Sequence, residues 1–147
     1  MKVKEIMAKD VISVKPEDSA AEALALLFKM QISGLPVIDA QGKVVGMFTE
    51  KEVLSYMLPS YLERVGKFVY EHNPKAIHKK FSELSRIKVS QLMRKDVVVV
   101  DEDTTLCEVA KVMITQKVRR LPVVDKNSKV TGIVARGDVL GAFTKEA

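Results

Sequence analysis

The hydrophobic pattern of this chain changes period in a fixed order, from a β-branched run to a helical spacing and then to two short apolar runs. The opening run is Val11–Val14, and the apolar residues at helical spacing that follow it are Ala23, Leu26, Leu27 and Met30. The two short runs are Leu35–Asp39 and Val44–Phe48, and a further amphipathic stretch begins near Glu50. Because these periods are typical of strands and helices, the pattern predicts the order strand, helix, strand, strand, helix.

The same order returns at an offset of 86 residues. Residues 3–54 align with residues 89–140 without a gap, and sixteen of the 52 pairs are identical. The corresponding elements of the second half are Val97–Val100, helical positions at Val109, Val112 and Met113, the runs Leu121–Asp125 and Val130–Val134, and a helix from about Arg136. A long repeat usually marks a unit that cannot bury its apolar face alone. We therefore predict an α/β (α+β) fold of two βαββα repeats, packed sheet to sheet about a pseudo-twofold axis with ligand-sized clefts between them.

Local signals support the predicted boundaries in both repeats. Ser19 and Thr105 each precede a glutamate by three residues, which is the spacing of a capping box at a helix start. The paired short strands are joined by tight turns, in which Gly42 and Asn127 can supply a positive φ.

The sequence divides into repeat 1 (1–58), a connector (59–88) and repeat 2 (89–147). The connector holds seven Lys or Arg residues and three Glu, in a chain of net charge +5, and four of the eight aromatic residues, Tyr61, Phe68, Tyr70 and Phe81. One interpretation is a helical, amphipathic connector whose aromatics pack on the repeats while its lysines face water. The alternative is a basic patch for nucleic acid or a membrane surface.

The composition, 47% hydrophobic and 29% charged, is that of a soluble globular protein. No apolar run approaches the 18 residues of a membrane helix, and the N-terminal charges do not resemble a signal peptide. The single cysteine, Cys107, cannot form an internal disulfide, and its alignment with Ala21 predicts a small buried core residue. We expect a protein of the reducing cytoplasm.

A catalytic or metal-binding set of residues does not emerge. His72 and His78 both lie in the connector, at a spacing that matches no familiar zinc pattern. Gly132 and Gly137 have the spacing of phosphate-loop glycines, but the Lys and Ser/Thr that such a loop needs are absent after them. The sequence therefore predicts neither an enzyme nor a metal site.

Three segments at fixed spacing in each repeat carry a family resemblance. They are Met-x-x-Asp-Val, then Leu-Pro-Val-[Ile/Val]-Asp, and then a glycine that leads to [Glu/Asp]-Val-Leu. This order resembles the CBS domain, the regulatory repeat of cystathionine β-synthase type, and its tandem arrangement resembles a Bateman module. The resemblance implies binding of AMP, ADP, ATP or S-adenosylmethionine in the clefts, assembly into a disc-like homodimer, and no required cofactor.

The ligand motif of that family is a glycine, two hydrophobic residues, a hydroxyl residue and, three residues later, Asp or Asn. The resemblance implies that the short carboxylate binds the ribose hydroxyls and that the hydroxyl meets a phosphate. Repeat 1 keeps the hydroxyl at Thr49 but has the longer Glu52, whereas repeat 2 keeps Asp138 but has Ala135 in place of the hydroxyl. We therefore expect at most one good site per chain, with Asp138 as the better ribose ligand.

Further candidates surround the Leu-Pro pairs. The resemblance implies that Arg119 and Arg120 contact phosphates, where two adjacent arginines suit a diphosphate or triphosphate, and Arg136 could replace the missing hydroxyl. The alternative is a solvated pair at a helix end. By the same resemblance, the adenine pocket is lined by Ile12, Ser13, Val98, Val99, Leu35, Pro36, Leu121 and Pro122. Plain core packing is the alternative for these residues.

Three functions remain open from the sequence. The first is a regulatory module that senses an adenine nucleotide and passes the signal to a partner protein. The second is a structural or protein-interaction module with degenerate sites, and the third is a nucleic-acid binder that acts through the basic connector.

Overall fold

The fold is described from a computed structural model, which covers residues 1–58 and 74–146. The helices are α1 Ala20–Met30, α2 Glu50–Met57, α3 Pro74–Ser82, α4 Val89–Leu92, α5 Leu106–Thr115 and α6 Arg136–Glu146, with single 3-10 turns at Val3–Glu5 and Glu83–Arg86. The strands are β1 Gly34–Ile38, β2 Val44–Thr49, β3 Val100–Asp101, β4 Arg120–Val124 and β5 Val130–Ala135. The predicted mixed α/β fold is confirmed.

The described residues form two compact units, and neither coincides with one sequence repeat. Unit 1 contains Met1–Ser13, Ile38–Val45 and the chain from Asp96 onward. Unit 2 contains Val14–Val37 and the described part of Gly46–Lys95. Each unit therefore combines most of one repeat with the opening residues of the other.

Unit 1 is built on a three-stranded sheet in the order β3-β4-β5. Strand β3 runs parallel to β4, and β4 runs antiparallel to β5. The core beneath this sheet consists of Val3, Val100, Val109, Met113, Val118, Leu121, Val123, Val134 and Val139. Val3 is fully buried, so the N-terminal segment contributes to the core of a unit that otherwise belongs to repeat 2.

Unit 2 carries the equivalent arrangement around β1 and β2. Val14 forms a parallel bridge with Val37, as Val100 does with Val123 in unit 1. The buried hydrophobic residues of unit 2 include Val14, Ala20, Ala23, Leu24, Leu27, Leu35, Val37, Met47, Phe48, Val53, Leu84 and Val89. Leu84 lies in the connector and Val89 in repeat 2, so this core also takes side chains from beyond repeat 1.

The opening strands are much shorter than predicted. Val11–Val14 is reduced to a single bridge at Val14, and Val97–Val100 to the two-residue strand β3. The backbone meets its neighbour only at the end of each run, so the earlier β-branched residues have no ladder partner. Their composition predicted a buried strand, whereas Val11, Ile12, Val97 and Val98 are only half-buried and do not pair.

The predicted helix starts are confirmed at the hydroxyl side of each cap. Ser19 Oγ accepts a hydrogen bond from the Glu22 amide at 3.1 Å, and Thr105 Oγ1 accepts one from the Glu108 amide at 3.3 Å. The buried face of α1 differs from the prediction, because Leu24 is buried whereas Met30 is 41% exposed. Met30 is the last residue of the helix and lies past the end of the core.

Both hairpin turns are closed by an aspartate side chain. Asp39 Oδ1 accepts amide hydrogen bonds two and four residues later, and Asp125 Oδ1 does the same in the second turn. The positive φ falls three residues after each aspartate, at Gly42 (82°) and Ser128 (63°). The prediction is therefore confirmed at Gly42 and wrong for Asn127, because the Asx turn fixes the position and Ser128 aligns with Gly42.

Two further expectations about burial are wrong. Cys107 is exposed rather than buried, because it lies on the outer side of the first turn of α5. Phe81 at the end of α3 is 49% exposed and is not packed away as the connector interpretation required. The other connector aromatics, Tyr61, Phe68 and Tyr70, lie outside the described residues.

The opening segment of each repeat crosses a strand of the other. Ala8 and Ile133 exchange two backbone hydrogen bonds of 2.9 Å in unit 1, and Met47 and Arg94 exchange two of 2.9 Å in unit 2. The residue before each bridged strand position is a glycine, Gly132 or Gly46. A Cβ at Gly132 would lie 3.0 Å from the Ala8 carbonyl and would also meet the Met7 side chain, so the crossing requires glycine.

The N-terminal segment is also held by charge. Lys4 Nζ lies 3.2 Å and Lys2 Nζ 3.4 Å from Asp103 Oδ1 in unit 1. The hydrogen bond from Lys4 and the charge of Lys2 hold the pKa of Asp103 below its usual value. All three side chains are exposed, so this cluster contributes little stability.

Replacing Gly141 by alanine is expected to stabilise the fold. Gly141 lies inside α6, and a Cβ built on it meets no atom within 4 Å. Alanine is favoured over glycine in a helix by about 0.5–1 kcal/mol. Urea denaturation followed by circular dichroism should show a higher midpoint at an unchanged m value, and an unchanged or lower midpoint would contradict the helical environment of this position.

Candidate functional site

Three cationic side chains surround one cavity in unit 1, which we call the basic cavity. It has a volume of about 360 Å³, and Lys117, Arg119 and Arg136 line it together with the apolar residues Met113, Ile114 and Val118. Met113 and Val118 are buried in the core of unit 1 and form the rigid part of its wall. The cavity is therefore an apolar recess with a positively charged rim.

Backbone geometry brings the three cationic residues to one cavity. The Arg136 amide donates a 3.0 Å hydrogen bond to the Arg119 carbonyl, which joins the start of α6 to the residue before β4. Lys117 follows the end of α5 in a left-handed conformation, with φ of 55°. The chain then turns back into the core, where the Val118 amide donates to the Met113 carbonyl at 3.1 Å.

The rim lacks a compensating negative charge. Within the described residues, no carboxylate forms a salt bridge with Lys117, Arg119 or Arg136. Arg136 is the first residue of α6, where the helix dipole adds a further positive potential. An anion at this place would gain from both sources of charge, so the recess is suited to a phosphate or a carboxylate.

The structure separates the two adjacent arginines. Arg119 is exposed and lines the basic cavity, whereas Arg120 is half-buried as the first residue of β4 and is not among the residues of that cavity. Arg120 lies opposite Ala135 in the sheet. The equivalent pair in unit 2 is Gly34 and Thr49, where Thr49 Cγ2 lies 2.7 Å from a Cβ built on Gly34. The small residue thus faces the larger one in both units, and Ala135 leaves the space that Arg120 needs.

Asp138, the candidate ribose ligand, caps α6. Its Oδ2 accepts a 2.8 Å hydrogen bond from the Ala135 amide, and the side chain is exposed. Asp138 lines a second cavity of about 410 Å³, together with residues of the N-terminal segment such as Glu5 and Ile6. Arg136 and Asp138 are the first and third residues of α6, so each of the two cavities includes one residue of its first turn.

The corresponding motif in unit 2 is closed on itself. The Thr49 hydroxyl donates to Glu52 Oε2 and accepts from the Lys51 amide at 3.2 Å. Glu52 lines a cavity of about 310 Å³ with residues that include Ser55 and Gln91. Because both polar groups of this motif already satisfy each other, a ligand would have to displace that hydrogen bond.

The apolar candidates fall into two groups by exposure. Leu35 and Pro36 in unit 2, and Leu121 and Pro122 in unit 1, are buried in their cores, which agrees with core packing. The remaining four belong to unit 1, where Ile12, Ser13 and Val98 are half-buried and Val99 is 41% exposed. Only this second group offers side-chain surface to an adenine ring.

Sequence reasoning did not single out Lys117, the third cation of the basic cavity. The signal was present in the repeat, since Lys117 aligns with the neutral Gln31, as Arg119 aligns with Ser33 and Arg136 with Glu50. A comparison of the charges at equivalent positions of the two repeats would have identified all three cations. The motif positions alone identified only the two arginines.

The described part of the chain contains neither a metal-binding cluster nor a membrane-spanning helix. Residues 1–58 and 74–146 contain no group of three or more His, Cys, Asp or Glu side chains that could hold a metal ion. His78 is exposed on α3, and His72 lies outside the described residues. No helix within those residues is long and apolar enough to cross a membrane.

Comparison with known proteins identifies the family. The family model for the CBS domain matches the chain twice, at residues 3–59 and 89–145. The chain therefore belongs to the CBS domain family and carries a tandem pair of these domains, as the sequence resemblance implied.

Individual relatives include an enzyme and two CBS-pair structures. Inosine-5'-monophosphate dehydrogenase from Methanocaldococcus jannaschii is 34% identical over 95% of this chain, but the chain spans only 23% of that enzyme. The chain spans 63% of a second relative, the chloroplastic protein CBSX1 from Arabidopsis thaliana. The structure of CBSX2 in complex with AMP is 31% identical, with a TM-score of 0.75 over 99% of this chain and 97% of that one. The CBS domain pair of protein MJ0100, in complex with 5'-methylthioadenosine and S-adenosylmethionine, is 26% identical, with a TM-score of 0.71 over 100% and 98% of the two chains.

Proposed function

We propose that this CBS pair is a regulatory module that binds an adenosine-containing ligand of the AMP, ADP and ATP class and passes the signal to a partner protein. The phosphates bind at Arg119 and Arg136, and the ribose binds at Asp138. The observation that carries the proposal is the basic cavity, because Lys117, Arg119 and Arg136 line it and have no described carboxylate partner. The proposal assigns the chain no catalytic step and no resident cofactor.

Two independent considerations support an adenine nucleotide over another anion. The relatives CBSX2 and MJ0100 are described in complex with AMP and with S-adenosylmethionine or methylthioadenosine, all of which share the adenosine group. In this chain, a nucleotide lying across the first turn of α6 would meet a cation at Arg136 and a carboxylate at Asp138. S-adenosylmethionine has no phosphate, and its single carboxylate would neutralise only one of the three cations of the basic cavity.

Calorimetric titration with AMP, ADP, ATP and S-adenosylmethionine tests the proposal. We expect micromolar binding of at least one nucleotide, and a loss of about 100-fold in Asp138→Ala, because two hydrogen bonds from ribose hydroxyls to a carboxylate are removed. Asp138→Ala also removes the cap of α6. Asp138→Asn is the matched control, because its amide oxygen can still accept from the Ala135 amide.

The two variants separate a binding effect from an unfolding effect. Asp138→Asn should keep the thermal stability of the parent chain and most of its nucleotide affinity, because the family motif has Asp or Asn at this position. Thermal denaturation of Asp138→Ala then shows whether the variant that loses binding is still folded. Absence of heat with all four ligands would contradict nucleotide sensing and favour the second candidate, a protein-interaction module with degenerate sites.

We also propose that the chain forms a homodimer. Four of its exposed large hydrophobic residues occupy two sets of equivalent positions in the repeats, 86 residues apart. Phe28 corresponds to Ile114 and Leu54 to Leu140, and each of the four is between 61% and 76% exposed. They lie on α1 and α2 of unit 2 and on α5 and α6 of unit 1. Apolar residues at equivalent positions suit an isologous interface with a second copy of the chain.

The effector protein that reads the signal is expected in the same reducing cytoplasm.

A further inference from the structure

We infer that the basic cavity is a polyphosphate subsite, in which Lys117 binds an outer phosphate and makes the chain distinguish ADP and ATP from AMP. This inference rests on the proposed function and assigns the specificity of the same site. Lys117 is a specificity-determining residue in this scheme, whereas Arg119 and Arg136 bind whichever phosphate lies next to the ribose.

The charge of the cavity exceeds what one phosphate neutralises. A single terminal phosphate carries a charge of about −1.5 to −2 near neutral pH. The rim carries three formal positive charges, from Lys117, Arg119 and Arg136, and no described carboxylate pairs with any of them. A monophosphate would leave at least one cation without a partner, and a diphosphate or triphosphate would not.

The size and the wall of the cavity agree with a longer anion. Its volume of about 360 Å³ lies within the range of about 300–1,000 Å³ that is typical of small-molecule pockets, which leaves space beyond a single phosphate. Met113 and Val118 provide an apolar wall, and a charged contact beside such a wall is screened less than one in open water. The outer cation is therefore expected to contribute measurably to affinity.

The chain supplies its own comparison at an equivalent place in unit 2. In unit 2 the Glu50 amide donates to the Ser33 carbonyl at 3.0 Å, as the Arg136 amide donates to that of Arg119. Gln31 has φ of 56°, as Lys117 has 55°. The three side chains of unit 2 carry a net charge of −1, where those of unit 1 carry +3. We therefore expect one polyphosphate subsite per chain, in unit 1.

The test is an exchange of one residue between the units. Lys117→Gln gives unit 1 the residue of unit 2, and Gln31→Lys is the matched control at the equivalent left-handed position. Both variants keep a non-glycine residue at the same φ, so the backbone strain is unchanged. AMP, ADP and ATP are titrated by calorimetry into the full chain and into both variants, without magnesium so that the phosphates keep their charge.

The expected result is a selective loss. The parent chain should bind ATP about tenfold or more tightly than AMP, and Lys117→Gln should weaken ATP and ADP by about tenfold while AMP changes by less than about twofold. Gln31→Lys should leave all three affinities unchanged. Equal affinity of the parent chain for AMP and ATP, or a parallel loss for both in Lys117→Gln, would overturn the inference and leave nucleotide binding intact. No binding of any nucleotide to the parent chain would overturn the proposed function itself.

Discussion

Gly132→Val is expected to lower the free energy of unfolding by about 3 kcal/mol, the largest effect of any single substitution that we predict on stability. Gly132 is buried in β5 where the N-terminal segment crosses it. A Cβ at this position would contact the Met7 sulfur, lie 2.7 Å from Met7 Cγ and lie 3.0 Å from the Ala8 carbonyl oxygen. Valine adds two more carbon atoms at the same place, so the crossing segment has to move away.

The loss would appear as a shift of roughly 10 °C in the thermal midpoint of a domain of this size. Gly132→Val combined with Met7→Ala should regain part of the stability, because the truncation removes the flexible half of the contact and leaves the backbone contact to Ala8. Gly46→Val should behave in the same way, since a Cβ there would lie 2.8 Å from Met93 Cγ and 3.0 Å from the Arg94 carbonyl. A stability of Gly132→Val equal to that of the parent chain would show that the segment does not cross here in solution.

Leu140→Asp is expected to convert the proposed homodimer into a monomer. Leu140 is 63% exposed in the chain, so the substitution leaves the core of unit 1 intact. Burial of a leucine side chain contributes about 1.5–3 kcal/mol, and a twofold interface contains the substitution twice. The dimer dissociation constant should therefore rise by about 1000-fold or more, measured by sedimentation equilibrium across a concentration series.

Leu140→Met is the matched control, because it keeps an apolar side chain of similar volume and should remain dimeric. Circular dichroism should show that Leu140→Asp is folded, as expected for an exposed position. A parent chain that sediments as a monomer at all concentrations would contradict the proposed interface. A Leu140→Asp variant that remains dimeric would place the interface elsewhere.

Local signals predicted the hairpins and the helix starts because their causes lie within a few residues. Ser19 and Thr105 cap their helices through amides three residues away, and Asp39 closes its turn through amides two and four residues away. The prediction of the opening strands was wrong in length because a strand needs a partner along its whole extent. The backbone of β4 pairs with β3 at only two residues. The predicted burial of Cys107 was wrong for a related reason. Its alignment with Ala21 indicated a small side chain but did not show which side of the helix it lies on.

The candidate site was predicted in part. The family resemblance named Asp138, Arg119 and Arg136, whereas Lys117 joins the two arginines only through the turn after α5. Ala135 is the opposite case, because the sequence shows only that it lacks the hydroxyl of the family motif. In the sheet it is the small residue that faces Arg120. The function of a position in a motif thus depended on its cross-strand neighbour.

The sequence by itself determined that the chain is a tandem repeat, that each repeat has an α/β order and that its ligand motifs differ. These properties follow from periodicity and from alignment of the chain with itself. Only the tertiary structure decided that each compact unit takes its opening segment from the other repeat, and that Arg136 at the start of α6 lines one cavity with Lys117 and Arg119 of the loop before β4. Both depend on contacts between residues far apart in the chain, and such contacts are fixed by core packing, on which local spacing carries no information.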